Sequence, residues 1–344
     1  MAASAALDKV VVIVAAVVLS AAAHQARTVV APVALALFVI AIVWPLQSRL
    51  QSRLPALLAV AVTIFVTVAV CAAFASLAVW GFSRIGRSLI GDAGRYQLLY
   101  DTMIGWLESH GISIAGVWSE HFNVRWLLRA GHEITGRVRT TLSFWLIALV
   151  YVLLGLLEVE AMHKRIRALD NREAARALLN GAGATAAKCR RYMVVRTQMS
   201  ALTGLFIGIF AWITGLQFAV EWGVIAFALN YVPFIGSFAA TLLPTLVAMA
   251  QFQSWQAVLF IFICLNITQF VIGSYIEPRV SGNILSISPP IVLFAIIFWT
   301  YIWGLFGTFI GVPIAIAVLT FCEQYPSTRW IADLLGGGRK VGMT

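Results

Sequence analysis

Two apolar stretches towards the C-terminus, Glu221–Gln251 and Ser288–Phe321, are each longer than one membrane crossing needs, and each is interrupted near its middle. The first breaks at Asn230-Tyr-Val-Pro233-Phe-Ile-Gly236 and has a further proline at Pro244. The second breaks across Gly304-Leu-Phe-Gly307-Thr308-Phe-Ile-Gly311-Val-Pro313. Unwound backbone frees N–H and C=O groups, and in hydrocarbon each costs several kcal/mol, so such breaks survive only where protein, water or solute satisfies them. A pair of Gly/Pro-interrupted apolar segments is the sequence pointer to the binding site of a secondary transporter.

The rest of the chain agrees with a membrane setting. Of its 344 residues 61% are hydrophobic and 11% charged, and mean hydropathy is +0.92. A soluble globular domain carries roughly 25% charged residues. The expected fold is all-α and polytopic, with about eight hydrophobic segments, since a crossing takes ~20 residues. The segments are Val10–Ala23, Val29–Leu46, Pro55–Phe82, Leu142–Glu158, Met199–Leu216, the broken Glu221–Gln251, Trp255–Ile276 and the broken Ser288–Phe321. Lys9 before the first segment and Ser20-Ala-Ala-Ala23 at its end resemble a signal peptide, but the spans that follow favour an uncleaved anchor.

The net charge of +10 does not point to nucleic acid, because it is gathered beside the spans. Lys164, Arg165, Arg167, Arg172, Arg176, Lys188, Arg190, Arg191 and Arg196 stand against Asp170 and Glu173. Such clusters mark cytoplasmic loops and suit anionic lipid. With both termini cytoplasmic, the positive-inside rule is satisfied throughout. The chain then divides into N-terminal transmembrane helices (1–82) and an extracytoplasmic segment (83–140). There follow a span with a basic cytoplasmic loop (141–198), a transport region (199–322) and a cytoplasmic tail (323–344). Within 83–140, Tyr96, Leu99, Met103, Trp106 and Leu107 predict one amphipathic helix, and Phe122, Trp126, Leu127 and Ile134 a second.

If each broken segment is a re-entrant helical hairpin, hairpin one enters from outside and hairpin two from inside. The C-terminal half is then an inverted repeat of span plus hairpin. The other reading keeps both as long kinked spans with Pro233, Pro244 and Pro313 as kinks. Charge does not choose between them, but length favours hairpins.

Polar groups near the breaks are few. The candidate substrate-binding residues are Asn230, Pro233, Gly236, Thr241, Pro244, Asn266, Gln269, Gly304, Gly307, Thr308, Gly311 and Pro313. Asn266 and Gln269 are three apart and would share a helix face. Glu221, Glu277 and Arg279 are the only charged residues from Thr197 to Phe321 and are candidates for coupling or for latching hairpin two. HExxH, GxSxG and Walker A sequences are absent, so an intramembrane enzyme lacks its residues. No cofactor and no metal are expected: four scattered cysteines form no ligand spacing. His110, His121 and His132 recur every eleven residues, but Gly111 and Gly116 interrupt the helix that would align them.

The residues of the breaks resemble the autoinducer-2 exporter family, the PerM-like permeases. The resemblance rests on Asn230-Tyr-Val-Pro233-Phe-Ile-Gly236 with Pro244, on Glu277-Pro278-Arg279-Val-Ser-Gly282, on Ser288-Pro289, and on the break from Gly304 to Pro313. Order and spacing match over Met199–Phe321, and the earlier spans match in layout. The resemblance implies a bacterial inner-membrane permease exporting a small polar solute by alternating access, with autoinducer-2 as the signal that names the family. It also implies a homo-oligomer, with five copies as the assembly it suggests. Some relatives look like cation/proton antiporters, which is the alternative function. The scarcity of core carboxylates here weakens it. A non-transporting membrane scaffold is a further alternative, but it has no need of two matched breaks.

Overall fold

Among the described residues the apolar runs become helices, because in a bilayer a helix satisfies its own backbone. The computed structural model describes residues 18–91, 124–252, 254–281 and 287–336, with a few single positions outside them; for 124–142 it describes the backbone alone. The elements are α1 (Arg27–Gln51), α2 (Ala56–Gly91), α3 (Val124–Arg167), α4 (Arg172–Ile213), α5 (Ala219–Leu229) and α6 (Ile235–Gln251). They continue with α7 (Trp255–Phe270), a π-helical turn (Val271–Ile276), α8 (Glu277–Ser281), α9 (Pro289–Trp303), α10 (Leu305–Gln324) and α11 (Arg329–Leu335). Among the described residues there is no strand, and six helices are long and apolar enough to cross a membrane. The architecture is that of an all-α polytopic membrane protein. Many large apolar side chains on α2, α3 and α7 are exposed, as a lipid-facing surface requires.

Local chemistry sets the boundaries. Asn171 caps α4, its Oδ1 accepting from Ala174 N–H at 3.0 Å. Ser254 caps α7 through Ala257 N–H. Pro289 and Pro290 fill the first turn of α9, where a missing N–H costs nothing.

Two expectations change in the fold. The stretch 163–196 is no open loop: α3 runs to Arg167 and α4 begins at Arg172, so most of the basic residues lie on helices. The physical reason is the alanine-rich run from Ala174 to Ala187, which favours helix whatever its charge. The second external helix is not a separate element, since the α3 backbone continues from Val124 into the span. The first amphipathic helix, His110 and His121 lie outside the described residues.

The chain forms two compact units. One comprises Met1–Thr67, Ser143–Met193 and Asn283–Thr344, and so holds α1, α9, α10 and α11. Its core gathers Leu35, Phe38, Phe144, Tyr192, Ile296, Ile310 and Ile316. The Phe144 and Phe306 rings stack there at 3.8 Å. The other unit comprises Val68–Leu142 and Val194–Gly282, and holds α5 to α8 with the second half of α4. Its core is built on Ile207, Trp222, Ile225, Ala226, Ala248 and Leu265.

Candidate solute site at the helix breaks

Both broken segments fold back on themselves as helical hairpins. In hairpin one, α5 is 11 residues long and α6 is 17. At ~1.5 Å per residue they reach roughly 16 and 25 Å. Their base is clasped by one side chain. Gln251 Oε1 accepts from Gln217 N–H at 2.8 Å, and its Nε2 donates to Gly215 O at 2.7 Å. The tip turns at Phe234, whose φ of 61° lies in the left-handed region that costs a bulky residue about 1–3 kcal/mol. Directly after it, a Cβ on Gly236 would fall 1.8 Å from Leu229 O, so no other residue lets the two arms meet there.

Asn230 sits at that tip, buried, and its Nδ2 donates to Ser200 Oγ on α4 at 3.2 Å. The Tyr231 hydroxyl donates to Thr197 Oγ1 at 2.9 Å. Pro233 is half-buried beside them. Thr241 and Pro244 are buried in α6, where Thr241 donates to Phe238 O and Thr245 donates to Thr241 O. The proline removes one ladder donor from α6, and these hydroxyl bonds cluster around that gap.

Hairpin two repeats the pattern in the other unit. Its tip turns at Gly304, with φ 63° and ψ −140°, a conformation reserved for glycine. A Cβ on Gly307 would fall 1.8 Å from Trp299 O, and one on Gly311 3.0 Å from Ala295 O. The arms are therefore antiparallel and nearly in backbone contact. Thr308 is fully buried and its hydroxyl lies 2.7 Å from that of Thr300 across the hairpin. Pro313 is buried within α10. The tips of both hairpins thus combine a left-handed residue, a glycine pressed on a carbonyl, and a buried polar side chain.

The two candidate carboxylates are each paired with an arginine. Glu221, in the first turn of α5, is 5% exposed and lies 3.0 Å from Arg84 Nε. Glu277 Oε1 accepts from Arg196 Nη1 at 3.1 Å, and Arg196 is 8% exposed. Arg279 does not join Glu277; its guanidinium lies over the Tyr275 ring at 3.9 Å. Asn266 is exposed and donates to Phe262 O on its own helix, whereas the Gln269 amide nitrogen is buried without a partner. The two do not share an environment despite their spacing.

Sequence reading missed Arg84, Arg196, Ser200 and Thr300. For Arg196 a signal existed: with Ser200 and Thr203 it recurs at i, i+4 and i+7 on α4, a polar stripe on a helix entering an apolar core.

The chain is similar to known transport proteins. A family model described as AI-2E family transporter matches residues 11–327. A putative transport protein of Borreliella burgdorferi is 27% identical over 212 residues, 61% of this chain and 58% of that one. The AI-2 transport protein TqsA of Escherichia coli K12 is 34% identical over 144 residues, 42% of each chain. The putative transport protein YhhT of the same organism is 30% identical over 148 residues, 43% of this chain and 42% of that one. The matched stretches therefore cover only about half the length of these relatives.

Proposed function

The chain belongs to the AI-2E family of transporters, and on that premise we propose that it is a secondary transporter that moves a small polar solute by alternating access. Autoinducer-2 is the first solute to test, because one relative carries that signal in its name. The observation that carries the reading is the pair of hairpins closed by Gly236 and Gly307 against backbone carbonyls. Arms packed this closely favour moving as one element, and discrete packed elements are what a two-state transporter switches. The buried Asn230 and Thr308 supply hydrogen-bonding groups at those tips.

Cation/proton exchange is the second reading, and the ion pairs weigh against it. Glu221 and Glu277 are the only carboxylates between Thr197 and Phe321, and each already faces an arginine. A cation would have to displace a guanidinium. In this reading the protein lies in a bacterial inner membrane as a homo-oligomer, five copies being one candidate assembly. Both termini are cytoplasmic, and Lys164, Arg167, Arg176 and Arg191 face anionic lipid.

Uptake of labelled autoinducer-2 by inside-out vesicles, with and without a proton gradient, tests the proposal. Saturable, gradient-dependent uptake is expected. Absence of uptake under both conditions removes autoinducer-2 and brings cation/proton exchange forward.

A further inference from the structure

Four of the unit-two features above converge on one place. α4 and α7 are antiparallel neighbours, anchored at two points. Phe210 and Phe260 rings lie 6.3 Å apart near one end, and at the other Arg196 pairs with Glu277, which opens α8 just past the π-helical turn that continues α7. Thr203 is seven residues from Phe210 and seven from Arg196; Gln269 is nine from Phe260 and eight from Glu277. Both therefore lie about midway along the stretch between the anchors. One turn further on, Ile207 and Leu265 are both fully buried in the same core cluster.

Three polar atoms here are buried without a partner: Thr203 Oγ1, Gln269 Nε2 and Arg196 Nε. Thr203 is 0% exposed. Buried polar groups are almost always met, so three within this one stretch call for something to meet them. Ser200, one turn from both Arg196 and Thr203, holds Asn230 of the hairpin-one tip. The π-helical turn Val271–Ile276 separates Gln269 from Glu277, and such turns are frequent at functional sites.

We infer that Arg196, Thr203 and Gln269, with Ser200 and Asn230 at their edge, form a solute subsite contained within this unit. It takes a small neutral molecule rich in oxygen acceptors, such as a polyol or hydroxyketone. The class follows from the atoms. The Arg196 Nε–H and the Gln269 amide hydrogens are donors, and the Thr203 hydroxyl donates or accepts. The ligand must therefore present acceptors. Glu277 offsets the Arg196 charge, so the ligand need bring none. The inference rests on the transporter reading and names where in it the cargo binds.

Two single-cysteine variants, Thr203→Cys and Gln269→Cys, test it in the full-length protein in vesicles. They are made in a background in which Cys71, Cys189, Cys264 and Cys322 are replaced by serine. Both are expected to react with a neutral, water-soluble methanethiosulfonate reagent, and Ile207→Cys to stay inert. Autoinducer-2 is expected to slow both reactions. Thr203→Val, which keeps the side-chain shape, is expected to raise the half-saturating concentration for uptake roughly tenfold, the loss of one hydrogen bond. Inert cysteines at both positions overturn the subsite, as does labelling together with wild-type uptake by Thr203→Val and Gln269→Leu. If the wild type carries no autoinducer-2, that cargo fails on its own. Protection is then read with glycerol, dihydroxyacetone and ribose, and protection by none of these also overturns the subsite.

Discussion

Gly307→Ala is the smallest change that should disable a hairpin. Its new Cβ would sit 1.8 Å from Trp299 O, whereas real Cβ contacts stay beyond 3.0 Å. The arms of hairpin two must therefore part by at least the 1.2 Å difference. The obstacle is backbone, so no rotamer change relieves it. Overpacking of this kind costs about 1–3 kcal/mol. Parting the arms also stretches the 2.7 Å contact between the buried Thr300 and Thr308 hydroxyls, adding ~1–3 kcal/mol. Against this, alanine gains up to ~1 kcal/mol of helix propensity over glycine. The net expectation is a loss of about 1–5 kcal/mol at the tip. Thermal unfolding of the detergent-solubilised protein should show a lowered midpoint, and vesicle uptake should fall to background. Gly311→Ala, with its nearest atom at 3.0 Å, should lie between this variant and wild type. Gly183→Ala, with nothing within 4 Å, should melt at or above wild type and transport normally. Wild-type melting and uptake by Gly307→Ala would refute the claim that tight backbone contact holds the hairpin.

Other variants probe the second unit. Asn230→Ala and Ser200→Ala each remove one side of the same bond, so each should cost about 1 kcal/mol in stability, and the double variant little more; additive losses in unfolding midpoints would contradict a shared bond. Arg196→Ala leaves the part-exposed Glu277 without its arginine and should destabilise by roughly 1–3 kcal/mol, while adding Glu277→Ala should restore part of that in a double-mutant cycle. Gln251→Ala unclasps the base of hairpin one, and faster proteolysis near Gly215 is the expected sign.

The helices and both hairpins were legible because their signals are local. Length, glycine, proline and apolar runs declare themselves within a window of about 20 residues. Asn230 and Gly307 stood out for the same reason. The partners of Glu221 and Glu277 did not, since Arg84 and Arg196 are far away in the chain and ordinary in their own neighbourhoods. Arg279, a candidate latch beside Glu277 in sequence, instead lies over the Tyr275 ring. The helical character of 163–196 was obscured by its charge, although the alanine run gave it away. Thr203 is one of three threonines on α4, and only the α4–α7 register singles it out.

Alternating access at the hairpin tips is the central claim, and two-sided accessibility tests it most directly. Phe234 and Leu305 are exposed tip residues, 61% and 64%. Single cysteines at these positions should be labelled by an impermeant reagent applied to either face of sealed vesicles, and a transported solute should shift the balance between faces. Labelling from one face only, unchanged by solute, would contradict the account.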